Sequence, residues 1–217
     1  RSVTVSMEGP DSKRRAAMVK SIPGTECHPS VVEGVERAAS SLADAGWEIV
    51  ENTPPGIDLC SEIWAHLLGT DVSLLMDAAR PLLSEEMAAA LDSGITEQFP
   101  SEIMDPNLVH SERIRLAREW SVFFTEHPVV IMPTWPQQPF EHGADISEDS
   151  RSELIEILRF ITPANVLGLP SVALPVGVSE GLPQGVQCIA DRWRDDLALT
   201  AGSDIESSLG VITPIDP

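Results

Sequence analysis

Five histidines, three cysteines and two lysines are the side chains best suited to act as metal ligands, bases or thiol nucleophiles in this chain. His28, His66, His110, His127 and His142 show no i, i+4 pairing and have no cysteine at ligand spacing, so no metal site is expected. His28 precedes Pro29 and fits the start of a helix, where proline's missing N–H costs nothing. Asp145, Ser147 and Asp149 alternate oxygen-bearing side chains. They lack the glycine and the distal glutamate of a calcium loop, which leaves a solvated acidic turn. Cys188 stands beside Ile189 in an apolar run and reads as a small core residue rather than a nucleophile. Cys27, Cys60 and Cys188 are odd in number, far apart and without a C-x-x-C pair. That spacing favours a reducing, cytoplasmic compartment over a disulfide framework. No cofactor is implied.

The surrounding composition narrows the function classes. The 217 residues carry 14 basic and 34 acidic side chains, a formal charge of −20. Nucleic-acid binding needs clustered Lys and Arg to displace counterions, and Lys13 and Lys20 are the only lysines. An anionic membrane surface would repel the chain for the same reason. No apolar run approaches the roughly 18 residues that a membrane span requires. The opening residues alternate polar and apolar and turn charged at Glu8, unlike a signal peptide. Because Arg1 is not Met and residues 2–7 alternate as a strand does, the chain is expected to begin inside an element that continues upstream.

The elements that would position any site follow from periodicity. Residues 2–7 read as a strand, and Glu8 to Thr25 as a polar loop holding the basic cluster Lys13-Arg14-Arg15. From Pro29, the residues Val31, Val32, Val35, Ala38, Ala39, Leu42 and Ala45 form one apolar helix face that Gly46 ends. Trp47 to Val50 then reads as a strand, giving a βαβ rhythm and a parallel sheet. Residues 57–104 are helical: one helix through Ile63, Leu67 and Leu75, a second after Pro81 through Leu91. A further helix opens at Asp105-Pro106 and closes near His127-Pro128. Val129 to Met132 is uninterruptedly apolar, as in a strand buried on both faces, and empties into the proline-rich loop Pro133 to Phe140. Glu141–Asp149 is an acidic loop, and residues 150–162 a helix. Ser171–Leu174 and Gly185–Ile189 form a hairpin about Gly181 to Gln184, before a last helix over 194–209. The fold class is α/β, with a mixed, largely parallel sheet flanked by helices.

Five spaced motifs, which follow one another along the chain in the family's order, resemble the amidase signature family over nearly the whole chain. They are T-P-A-N-V-L-G-L-P-S-V-A-L-P-V-G (Thr162 to Gly177), G-L-P-Q-G-V-Q (Gly181 to Gln187), and the helix ending I-E-S-S-L-G with its T-P-I-D-P tail. The helix–strand unit His28 to Glu51 and the segment Trp120 to Thr134 complete the set. His127-Pro128 departs from the aromatic–Asp pair of many members. The resemblance implies an amide hydrolase with a Ser nucleophile, a second Ser in a cis peptide, and a buried Lys kept neutral by desolvation. Backbone N–H groups of a glycine-rich loop form its oxyanion hole. These parts lie in the family's N-terminal half, and this chain is similar to the other half. Residues 1–217 are therefore expected to be the C-terminal part of a single amidase domain. Residues 57–104 would cover its pocket and 162–217 form its terminal hairpin and helix.

Two segments echo the missing machinery. Gly202-Ser203-Asp204-Ile205-Glu206-Ser207-Ser208 would put Ser208 at the nucleophile, but Glu206 and Ser207 replace the glycines. Ile205 and Leu209 also continue a helix stripe. Val19-Lys20-Ser21 echoes the family's V-K-D, yet it precedes a much later family segment and reads as a solvated lysine. No catalytic residue is assigned in this chain. Thr134 and Trp135, leaving the C-terminal end of a buried strand, and Asn165, in T-P-A-N, are the candidate substrate-binding residues. Gln187, polar within an apolar strand, must turn outward or find a buried partner. The expected partners are a small-molecule amide and the N-terminal half of the same domain, with no nucleic acid and no membrane, and a homo-oligomer is allowed. The alternatives are a fragment of an amidotransferase A-type subunit, or a complete non-catalytic domain that binds a partner through an acidic surface.

Overall fold

A computed structural model describes residues 9–92, 105, 108–141 and 157–212. Its five-stranded sheet has the order β2-β1-β3-β5-β4. The strands are β1 (Arg15–Met18), β2 (Glu48–Glu51), β3 (Val129–Pro133), β4 (Ser171–Ser179) and β5 (Leu182–Ala190). β1 pairs in parallel with β2 and β3, while β5 runs antiparallel to both β3 and β4. The helices are α1 (Pro29–Asp44), α2 (Leu59–Ala79), α3 (Glu85–Asp92), α4 (Val109–Glu126), α5 (Thr162–Leu167) and α6 (Asp195–Leu209).

The sheet is covered on both faces. Ala17, Val130, Met132 and Ile189 pack against Ile63, Leu116, Trp120, Phe160 and Leu167 of the α2, α4 and α5 side. Ala16, Val129, Ile131 and Cys188 pack against Val35, Leu42, Ala201 and Ile205 of α1 and α6. Every residue of β3 is buried, as an uninterrupted apolar run requires when helices lie on both faces. Each fully buried side chain of leucine or phenylalanine size contributes about 1.5–3 kcal/mol. Trp120 adds a directed bond, its Nε1 donating to the Pro55 carbonyl at 3.0 Å.

β1 overturns one expectation, because it lies inside the segment read as the polar loop Glu8 to Thr25. The strand needs only Ala16 and Ala17, both fully buried, to fit between β2 and β3. Arg15 at its start lies toward solvent carboxylates, 3.3 Å from Glu48 and 3.7 Å from Glu126. A four-residue strand of two alanines beside a basic cluster has no hydropathy signal. The hairpin is also longer than the sequence suggests. The loop is the pair Glu180-Gly181, with φ of 54° and 81°, the positive values that a two-residue hairpin turn needs. Pro175 and Pro183 sit within the strands. β4 is the sheet edge, and β5 pairs with β3 only as far as Val186 opposite Pro133, so neither proline interrupts a two-sided ladder.

The strand expected over residues 2–7 lies outside the described residues, as do residues 93–104 of the helical region and most of the acidic loop Glu141–Asp149. Of the helix expected over 150–162, residues 150–156 also lie outside. In the described remainder Ile157 is α-helical, and a 3-10 turn, Leu158–Phe160, follows and leads into α5 at Thr162.

Candidate substrate site at the end of β3

β3 ends at Pro133, and the proline loop beyond it is tied down along its length. The His28 N–H donates to the Pro136 carbonyl at 2.8 Å, and Gln137 Nε2 donates to the Glu26 carbonyl at 3.2 Å. Gln138 Nε2 donates to Glu180 Oε2 at 3.0 Å and to Ser30 Oγ at 3.4 Å, joining the loop to the hairpin turn and to α1. The Trp135 and Phe140 rings stack at 5.9 Å with a 38° tilt.

Between this loop, the start of α1 and the hairpin lies an open cavity of about 640 Å³. Trp135, Phe140, Leu174, Pro175, Leu182 and Pro183 make its walls chiefly apolar, while Thr134, Ser30 and Gln184 supply polar groups. Arg37 braces the far side, its Nη1 donating to Gln184 Oε1 at 2.9 Å and to the Val176 carbonyl at 2.8 Å. Gln184 Nε2 in turn donates to the Ser30 carbonyl. A space of this size, apolar with a few fixed polar groups, suits one small organic molecule.

Thr134 and Trp135, the residues expected to face a substrate, both line the cavity. Asn165 is not brought to them. It is exposed on α5, across the sheet from α1, and its N–H donates to the Ile161 carbonyl at 3.4 Å. Ser30 and Gln184 escaped sequence reading because one sits in a helix's first turn and the other in what looked like a loop. Nothing in their local spacing marks them.

The nucleophile and base echoes carry no such geometry. Lys20 pairs with Glu51 at 2.9 Å and Glu36 at 3.5 Å, and these bonds hold its ammonium above the usual lysine range. A neutral amine base requires a shift the other way. Ser208 is exposed on the last turn of α6, which runs through Ile205 to Leu209. Burial pushes the Cys188 and Cys60 thiols up to about 12 and Cys27 up to about 11, far from a reactive thiolate. Ser30 Oγ lies 2.8 Å from His28 Nδ1, but that nitrogen also accepts the Ser30 N–H at 3.3 Å, so the pair serves as the cap of α1. Among the described residues, no cluster of three or more His, Cys, Asp or Glu side chains could hold a metal ion. No described helix is long and apolar enough to cross a membrane.

A five-stranded mixed sheet flanked by helices, with this cavity at a strand's carboxyl end, is an α/β scaffold, and the family model described as Amidase matches residues 1–199. The chain belongs to the amidase signature family. It is 31% identical over 215 residues to an indoleacetamide hydrolase of Bradyrhizobium japonicum, covering 97% of this chain and 46% of that protein. It is 25% identical to the A-type subunit of the glutamyl-tRNA(Gln) amidotransferase of Salinispora arenicola, covering 92% of this chain and 46% of the other. The structure of 6-aminohexanoate cyclic dimer hydrolase superposes with a TM-score of 0.70 at 22% identity, over 94% of this chain and 47% of that one. The chain thus spans about half the length of the relatives it matches.

Proposed function

We propose that this chain is the substrate-pocket half of an amide hydrolase whose catalytic Ser, cis-peptide Ser and Lys lie in a preceding half. The observation that carries the reading is the coverage: 97% of this chain aligns with only 46% of an amide-hydrolysing relative. In support, the serines and lysines described above are all engaged in caps, ion pairs or helix surface. The intact enzyme would form an acyl-serine from a carboxylic amide, release ammonia or an amine, and hydrolyse the ester. Thr134 and Trp135 would meet the acyl group in the cavity, the indole offering it a flat apolar wall. A general amidase is favoured over an amidotransferase component by the higher identity and coverage of the indoleacetamide hydrolase match. The three unpaired cysteines fit a reducing compartment.

The test is an assay of the purified 217-residue chain against simple amides, including indoleacetamide. No turnover is expected. Turnover that disappears in Ser208→Ala or Ser30→Ala would overturn the reading, because the chain would then hold its own nucleophile.

A further inference from the structure

Gln187 is buried in β5 with 3% of its surface exposed, on the face shared by Ile189 and the α2, α4 and α5 layer. Its amide is fully committed. Nε2 donates to the Pro133 carbonyl at 3.0 Å and to the Phe160 carbonyl at 2.8 Å, while Oε1 accepts from Ser171 Oγ at 3.1 Å. The Pro133 carbonyl belongs to the peptide that aims Thr134 out of the strand into the cavity loop. The Phe160 carbonyl lies in the turn that feeds α5, which the Ile161 N–H closes on the Leu158 carbonyl at 3.0 Å, and α5 is joined to α2 by Ser61 and Thr162 hydroxyls 3.0 Å apart. One side chain therefore sets the orientation of two peptide planes, one leading to the cavity and one to the helices on the opposite face.

Only a neutral primary amide of this length has two donors and an acceptor to offer there. An ionised carboxylate would point lone pairs at two carbonyls, and a thioether would leave both without this donor in a buried site. We infer that Gln187 is a positioning residue for the proposed amide hydrolysis: it holds the Thr134–Trp135 wall of the acyl cavity at a fixed spacing from the α2–α5 layer. This inference rests on the hydrolase reading. It adds that acyl-group preference is set partly from a residue that never touches substrate. A wall displaced by even an ångström should penalise a large acyl group that fills the cavity and spare a small one that does not.

The experiment uses the protein expressed from its complete gene, with phenylacetamide and acetamide as probes and rates expressed per folded molecule. Gln187→Met keeps the volume and removes the donors. It should raise KM for phenylacetamide about ten-fold or more, with little change in kcat and little change toward acetamide. A purely structural role would lower the yield of folded enzyme and leave both KM values alone. Gln187→Glu gives a second readout, available if the Met variant does not fold. Its KM for phenylacetamide should fall toward wild type as the pH is lowered, because the protonated acid regains one donor. Wild-type KM values for both probes in both variants, at every pH, would overturn the positioning role alone. A wild-type enzyme that hydrolyses no amide would overturn the hydrolase reading and this inference with it.

Discussion

Buried where α4 turns into β3, His127 accepts a hydrogen bond at Nε2 from Asn52 Nδ2, 3.0 Å away. Asn52 Oδ1 is already taken by the Thr53 N–H at 3.0 Å, which leaves the amide's N–H face toward the imidazole. Nε2 must then be unprotonated and the ring neutral. The surroundings agree: burial, with Arg15 of β1 adding to it, holds His127 below its ordinary value of 6.5, against weaker opposing effects of Glu126 and Glu48. The unfolded chain therefore binds the proton more readily than the folded one. Stability should be fully present above about pH 6.5 and decline as the pH falls toward the depressed native value. Thermal unfolding followed between about pH 5 and 7.5 should show this fall. His127→Gln, which can still accept from Asn52 and cannot titrate, should flatten it; an unchanged slope in that variant would assign the proton uptake elsewhere.

Between elements, one close joint is where the β2–α2 connection crosses α4. Gly56 has a φ of 59°, and a Cβ built there would stand 2.5 Å from Leu116 Cδ2, in a core whose Leu116 and Trp120 are fully buried. Gly56→Ala combines left-handed backbone strain with an overpacked contact, so a loss of about 2–3 kcal/mol is expected from denaturant midpoints. The neighbouring Trp120 bond to Pro55 should report the same shift by tryptophan fluorescence. Equal stability would mean that α4 gives way at no cost and the joint is loose. This element-level contact was not visible in the sequence. Trp120 and Phe124 announce a buried helix face by their spacing, but only the crossing of two segments far apart in the chain makes Gly56 necessary.

At the scale of the molecule, β2 and β4 end the described sheet, and the apolar cavity opens beside β4. Strand edges and apolar hollows of this kind attract another polypeptide unless something covers them. The net charge of −20 opposes close approach of two copies, more so at low ionic strength. The purified chain is expected to be monodisperse at low salt and to associate as salt is added, in sedimentation velocity. On the proposed reading, co-expression with a preceding half that carries the catalytic residues should suppress that association. A chain that stays monomeric at high salt and unfolds in one sharp transition would favour the competing reading, a complete non-catalytic domain.

Much of this was legible in the linear chain. Regular periodicity exposed α1, α2, α4 and α6, the unbroken apolar run exposed β3, and the ordered motifs exposed the family, because each is a local repeat or a short-range pattern. The position of Thr134 and Trp135 followed from a rule about where strands end. What the sequence by itself could not determine are the features created by long-range approach. β1 is recognisable only once two strands flank its alanines. Gln187 had two readings until three distant groups met its amide. Ser30 and Gln184 became cavity residues only when the hairpin folded back over α1, and Asn165 left the candidate site when α5 carried it to the opposite layer. The physical reason is the same in each case: hydropathy and spacing encode which face of an element is buried, whereas the partner of a polar group is set by the packing of elements far apart in the chain.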